Sequence, residues 1–118
     1  LCNKIVMRLI NKKALEKLKR KKRGNASLAS EIDLLIKDFE THNWQNQEEL
    51  KEYRKDADCV HSEGFYFFNI EIHRTMILIE FEDNEATVIW VGDHQEYERV
   101  FKNNKSAIAN WLKSKDLI

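Results

Sequence analysis

The chain has 118 residues, 42% of them hydrophobic and 34% charged, with 20 Lys/Arg against 20 Asp/Glu. That length supplies one hydrophobic core and is too short for two, so one domain over residues 1–118 is expected. No apolar run approaches the length of a membrane span, and the opening LCNKIVMRLINKK has neither the apolar segment nor the small-residue cleavage site of a secretory signal. A cytoplasmic protein is the expectation.

The zero net charge conceals segregation. Residues 1–24 carry ten Lys/Arg and the single acid Glu16, a net of +9. Residues 25–97 carry five basic and seventeen acidic side chains (−12), and residues 98–118 carry five basic and two acidic ones (+3). Basic ends around an acidic middle suggest one face for a polyanion. Cys2 and Cys59 make no disulfide framework, and no CxxC or Cys/His spacing of a zinc site occurs, so free thiols and no metal are expected. Met7 followed by RLINKKALEKL reads as a natural start, which makes residues 1–6 an upstream extension or an expression remnant.

In chain order, IVMRLI (5–10) is short and β-branched and predicts a strand. It leads to a helix over 11–22 with Ala14, Leu15 and Leu18 as a narrow apolar stripe, broken by Gly24 and Asn25. From Ser27, the series Leu28, Ile32, Leu35, Ile36, Phe39 has helical spacing and predicts an amphipathic second helix to about Glu40. A short third helix follows, capped by Asn46 with Glu49 at the reciprocal position, and Trp44 and Leu50 pin it to the core. FYFFNI (65–70), RTMILIEFE (74–82) and ATVIWV (86–91) predict an antiparallel sheet with EDNE (82–85) as a hairpin turn. Both faces of the middle run are apolar, so it is expected at the centre. Ser106 is the expected cap of a last helix with Ile108, Trp111 and Leu112 on its buried side. The order describes an α+β fold with helices gathered on one face of a small sheet and the other face, or its rim, left free.

Polar chemistry concentrates after the last strand, in VGDHQEYERVF (91–101). If a helical turn begins at Gly92-Asp93, His94 and Tyr97 lie on one side at i and i+3 and can share a substrate. An imidazole exchanges protons near neutral pH and a phenol near a cation can donate or accept one, so the pair suits acid/base work. The plainer alternative has Asp93 capping the turn, His94 on the surface and Tyr97 packed on the sheet. His73 and Arg74 stand at the start of the central strand, where Arg74 offers a planar fork for a phosphate or a structural ion pair with Glu71 or Glu96. Successive strand residues face opposite ways, so Arg74 is the preferred member if the strand has begun. Lys102 and Lys105 follow the tyrosine, and Tyr53 with Arg54 form a further candidate pair. His42, His61 and the Cys59-x-His61 spacing point to no chemistry.

MRLINKKAL, NWQNQEELKEYRKDAD, FFNI, an arginine at a strand start and IWVGDHQEYER together resemble the HigB toxins of toxin–antitoxin modules, within the RelE/ParE-like superfamily. The resemblance runs over nearly the whole chain from Met7. Its most specific part is Gly92-Asp93-His94-Gln95-Glu96-Tyr97, where many relatives have threonine in place of Asp93, and the loop between Ile70 and Arg74 is shorter than the glycine-containing turn of many relatives. The resemblance implies a RelE-like small antiparallel sheet with two N-terminal helices on one face and a C-terminal helix. It implies an mRNA interferase acting on the ribosome without metal or cofactor, through attack of a ribose 2′-hydroxyl on the adjacent phosphate. It also implies a HigA-type helix-turn-helix antitoxin that forms a hetero-oligomer with the toxin. His94, Tyr97, Arg74 and His73 become the catalytic candidates. Lys102, Arg99, Lys19, Arg20, Lys22 and Arg23 become the RNA-binding ones. Two alternatives remain: a ParE-like toxin that inhibits gyrase by binding, and a plain RNA-binding module driven by KLKRKKR.

Overall fold

A computed structural model describes residues 6–118. The first strand, β1 (Arg8–Ile10), is shorter than the predicted run, whose Ile5 lies outside the described residues. Helix α1 (Lys13–Lys21) buries Leu15 and half-buries Ala14 and Leu18. Helix α2 (Ala26–Thr41) buries Leu28, Ile32, Leu35, Ile36 and Phe39, the predicted stripe. Asn25 caps it by accepting the Leu28 N–H at 3.0 Å. Helix α3 (Gln47–Tyr53) starts at Asn46 as expected, although Glu49 Oε1 accepts the N–H of Gln45 instead of returning to the cap residue.

Strands β2 (Asp58–His61), β3 (Phe65–Ile70), β4 (His73–Glu80) and β5 (Glu85–Asp93) complete one sheet in the order β1-β5-β4-β3-β2. All pairings are antiparallel except β1 with β5, which is parallel. The sheet is therefore mostly, not wholly, antiparallel, and β4 is central as its two apolar faces require. Strand β2 escaped the sequence reading because DCVH is short and carries two polar residues. The β4–β5 connection is a single 3-10 turn (Phe81–Asp83) closed by Asn84 in the left-handed conformation, φ 55°. That conformation suits asparagine better than most residues.

One expectation is corrected. The second face of the sheet is not free: helices α4 (His94–Phe101) and α5 (Lys105–Ser114) cover it. Side chains alternate along β3, so Tyr66, Phe68 and Ile70 meet α2, while Phe65 and Phe67 meet Tyr97, Phe101, Ile108 and Leu112. Each face has an aromatic centre. Phe39 meets Trp44 and Phe68 edge-on at 5.1 and 5.4 Å, and Phe67 meets Tyr97 and Phe101 at 5.0 and 5.2 Å. The last helix is capped by Asn104, which accepts the N–H groups of Ser106 and Ala107, and not by Ser106.

Two local devices aim the strand ends. The β4–β5 register shifts between Met76 and Ile77: Met76 faces Trp90 while Ile77 faces Val88, leaving Ile89 as an extra residue. Such a bulge reverses the alternation beyond it. Val88 therefore packs with α2, Trp90 joins the α4–α5 side, and Asp93 returns to the α2 side opposite His73. On the other flank, Arg54 pairs with the buried Asp38 of α2 at 3.1 Å and with Asp56 at 2.7 Å, and Asp56 accepts the Asn69 N–H. This fixes the end of β3 to the α2–α3 layer and gives Tyr53 and Arg54 a structural place, since the Tyr53 hydroxyl also donates to Asp38.

Phe101 is fully buried between Phe67, Trp90 and Trp111. Phe101→Ala is expected to cost about 3–5 kcal/mol, read as a lower denaturant midpoint with an unchanged slope. A loss under 1 kcal/mol would contradict a packed second face.

Candidate functional site

The end of the sheet where β4 begins and β5 stops is an open cleft of about 670 Å³, lined by Asn69, Glu71, Ile72, His73, Arg74, Asp93, His94 and Gln95. Three of the four catalytic candidates from the sequence, His73, Arg74 and His94, meet there.

The wall on the helix side is built by the β5–α4 junction. Strand passes to helix with no intervening residue, and Asp93 makes this possible as a capping box: its carboxylate accepts the Glu96 N–H at 2.8 Å, and Glu96 returns to accept the Asp93 N–H at 3.0 Å. The backbone bond from Glu96 is the chief reason that the Asp93 carboxyl lies below its usual value of 3.8, with His73 and Lys22 acting in the same direction. Gly92 precedes the cap for a steric reason, because a Cβ there would lie 2.5 Å from the Trp90 ring. The first residue of the helix is then His94. Its side chain is 60% exposed, and its nearest ionic neighbour is Glu98 at 3.7 Å.

Tyr97, one turn on, faces inward. It is 2% exposed, its hydroxyl donates to Asn103 Oδ1 at 3.1 Å, and its ring lies beneath the Arg74 guanidinium at 4.2 Å. Burial raises its pKa above the ordinary 10 despite the opposing Arg74 charge, so at neutral pH it is a phenol and no base. His94 and Tyr97 lie on one side of the helix with their rings 6.5 Å apart, His94 in solvent and Tyr97 packed under the arginine, the arrangement of the plainer alternative.

His73 and Arg74 diverge as strand neighbours must, yet both line the cleft because it wraps around the strand ends. Arg74 is half-buried on the Tyr97 side. His73 is 5% exposed on the α2 side, opposite Asp93, and its Nδ1 is buried without a hydrogen-bond partner. Glu71, in the two-residue β3–β4 turn, lies 3.6 Å from that nitrogen. Glu71, a candidate ion partner of Arg74 in the sequence, instead holds its carboxylate against Asn25 and beside His73.

The basic candidates divide. Arg20, in the last turn of α1, and Lys22 and Arg23 beyond it are exposed, and the field of Lys22 reaches Asp93. Lys19 instead ties α1 to α2, at 2.6 Å from Asp33 and 3.3 Å from Glu16. Arg99 and Lys102 are exposed along and beyond α4, with Lys102 roughly 12 Å from His94 at the helical rise. They do not line the cleft. Among the described residues no group of three or more His, Cys, Asp or Glu is arranged to hold a metal. Among the described residues no helix is long and apolar enough to cross a membrane.

Residues 28–100 match the family model described as HigB toxin, a RelE-like toxic component of a toxin–antitoxin system. The chain belongs to that family. The match spans α2 through most of α4 and so includes every residue of the cleft, whereas β1, the basic helix α1 and α5 lie outside it. No curated protein matches the chain.

Two substitutions test the construction of the cleft. Gly92→Ala must displace the Trp90 ring and is expected to cost about 1–3 kcal/mol, with a changed near-ultraviolet circular dichroism signal. For Asp93 the sign is that of a depressed carboxyl: it stabilises the fold above its unfolded value of about 3.8 and loses that contribution as the pH falls through the lower folded value. Asp93→Asn, which keeps a capping oxygen without a titrating carboxyl, is expected to show a flatter stability profile between pH 4 and pH 2, measured by denaturant unfolding. An identical acid limb would remove Asp93 from the account.

Proposed function

We propose that this toxin is an endoribonuclease of the mRNA interferase kind, cleaving messages at the strand-end cleft on the translating ribosome in the cytoplasm, and that a HigA-type antitoxin neutralises it. The observation that carries the proposal is the division of labour within Gly92–Tyr97. Gly92 makes room for Trp90, Asp93 and Glu96 cap the helix, and Tyr97 is buried beneath Arg74. His94 and Gln95 have no such task and stand exposed on the cleft wall, and of the two only the imidazole can exchange a proton near neutral pH.

The chemistry of RNA self-cleavage asks for a proton acceptor, a proton donor and a cation. The ribose O2′ attacks the adjacent phosphorus as its proton passes to a base. The P–O5′ bond breaks, O5′ takes a proton from an acid, and the products are a 2′,3′-cyclic phosphate and a 5′-hydroxyl. Two imidazoles and one guanidinium line the cleft, and none of these steps needs another group. Arg74 meets the phosphate charge, held by the Tyr97 ring; His94 and His73 supply the proton transfers. The ribosome supplies much of the orientation of the message. Arg20, Lys22 and Arg23 contact RNA backbone beside the cleft, while Arg99 and Lys102 extend that contact along α4.

The test is expression from a tight promoter with mapping of 5′-hydroxyl RNA ends. New ends within translated messages are expected, with His94→Ala reducing them about 10²–10⁴-fold and Arg74→Ala also strongly impaired. Tyr97→Phe keeps the ring beneath Arg74 and is expected to cost far less than His94→Ala. Growth arrest with intact messages would replace this reading with a toxin that acts by binding a target such as gyrase.

A further inference from the structure

The cleft floor holds an arrangement that the motif around His94 does not include. Glu71 occupies the left-handed region at φ 64°, unusual for a residue with a long side chain and held there by its surroundings. Its N–H donates to Glu31 Oε1 of α2 at 2.9 Å, and its own Oε1 accepts from Asn25 Nδ2 at 2.9 Å. Asn25 is the cap of α2, so one amide uses its oxygen to start the helix and its nitrogen to hold the Glu71 carboxylate. That same Oε1 lies 3.6 Å from His73 Nδ1, the buried nitrogen without a partner. A buried imidazole nitrogen left unpaired costs free energy, and the carboxylate oxygen beside it is an acceptor already locked in place.

We propose that Glu71 is a positioning residue for His73: it takes the Nδ1–H and leaves Nε2 as the proton acceptor facing the cleft. This rests on the nuclease reading above and assigns the two histidines that reading leaves open. The 2′-hydroxyl proton passes to His73 Nε2 as O2′ bonds to phosphorus, and Glu71 stabilises the imidazolium so formed. The departing O5′ takes its proton from the imidazolium form of His94. The charged groups on this floor are Glu71 on the turn with Glu31 of α2 behind it, Asp93 across the sheet with Lys22 acting on it from the end of α1, and Arg74 on the opposite side of its own strand.

The experiment has two arms. In the purified protein, long-range ¹H–¹⁵N correlation of the neutral His73 ring is expected to show the Nδ1–H tautomer; the Nε2–H tautomer would overturn the proposal whether or not RNA is cleaved. In single-turnover cleavage on ribosomes programmed with a defined message, Glu71→Ala is expected to lower the rate roughly 10²-fold, the lower end of what a positioned proton-transfer group contributes, with message binding within twofold. In a His73→Ala background the same change is expected to do nothing more, because Glu71 acts through His73. Additive losses would make Glu71 a structural residue and sink the idea. Glu71→Gln, which keeps an oxygen for Asn25, guards against a folding artefact: a rate equal to wild type would also count against it. If the wild-type chain leaves RNA intact, the nuclease reading and the catalytic half of this proposal fall together, and the tautomer alone then decides the pairing.

Discussion

The junction between β5 and α4 is the constraint on which the site depends. A strand that becomes a helix without a loop must satisfy the helix's first N–H groups at once, and the reciprocal bonds of Asp93 and Glu96 do so. The consequences follow along the helix by its own periodicity. His94 is placed in solvent at the cleft, Tyr97 one turn later is placed under Arg74, and Phe101 one further turn on enters the core against Phe67 and Trp90. The same short helix therefore closes the second face of the sheet and presents the site. Breaking its start would harm folding and function together.

The opposite wall has an analogous economy. Asn25 starts α2 and holds Glu71, and Asp56 engages both Arg54 and the backbone of Asn69. Side chains that begin or anchor helices also steady the loops of the cleft, so the site is mounted on the rigid parts of the fold. The buried Asp38–Arg54 pair belongs to this support. Removing one partner would leave the other charge buried alone, which costs far more than the pair contributes.

Much of this was legible in the sequence. The stripe from Leu28 to Phe39, the FYFFNI, RTMILIEFE and ATVIWV runs and the Asn46 cap translate directly into α2, β3, β4, β5 and α3, because local periodicity and capping chemistry decide them. Four features were not. The bulge at Ile89 is a matter of pairing between strands, invisible in either strand alone, yet it decides that Asp93 faces His73. The parallel partner of β1 and the short β2 depend on distant neighbours. The covering of the second face by α4 and α5 was missed because HQEYERVF was read for its polar chemistry, although Tyr97 and Phe101 at i and i+4 form the apolar stripe of a packed helix.

At the site, the reading of Gly92–Tyr97 as one functional block separates into two kinds of residue. Glycine, aspartate, glutamate and tyrosine build the junction, and His94 and Gln95 are presented by it. The sequence offers both readings, the plainer one with Asp93 as cap and Tyr97 packed on the sheet, but cannot choose between them, because an Asp-x-x-Glu cap and an acid–base cluster use the same letters. The basic N-terminal segment separates likewise, with Lys19 committed to Asp33 and Glu16 while Arg20, Lys22 and Arg23 remain exposed, and the field of Lys22 reaches Asp93. The measurement that tests the central claim most directly is cleavage of a ribosome-bound message carrying a single 2′-deoxynucleotide on the 5′ side of a mapped scissile phosphate. The account predicts that cleavage at that bond disappears while unmodified messages give a 2′,3′-cyclic phosphate; undiminished cleavage of the deoxy message would contradict it.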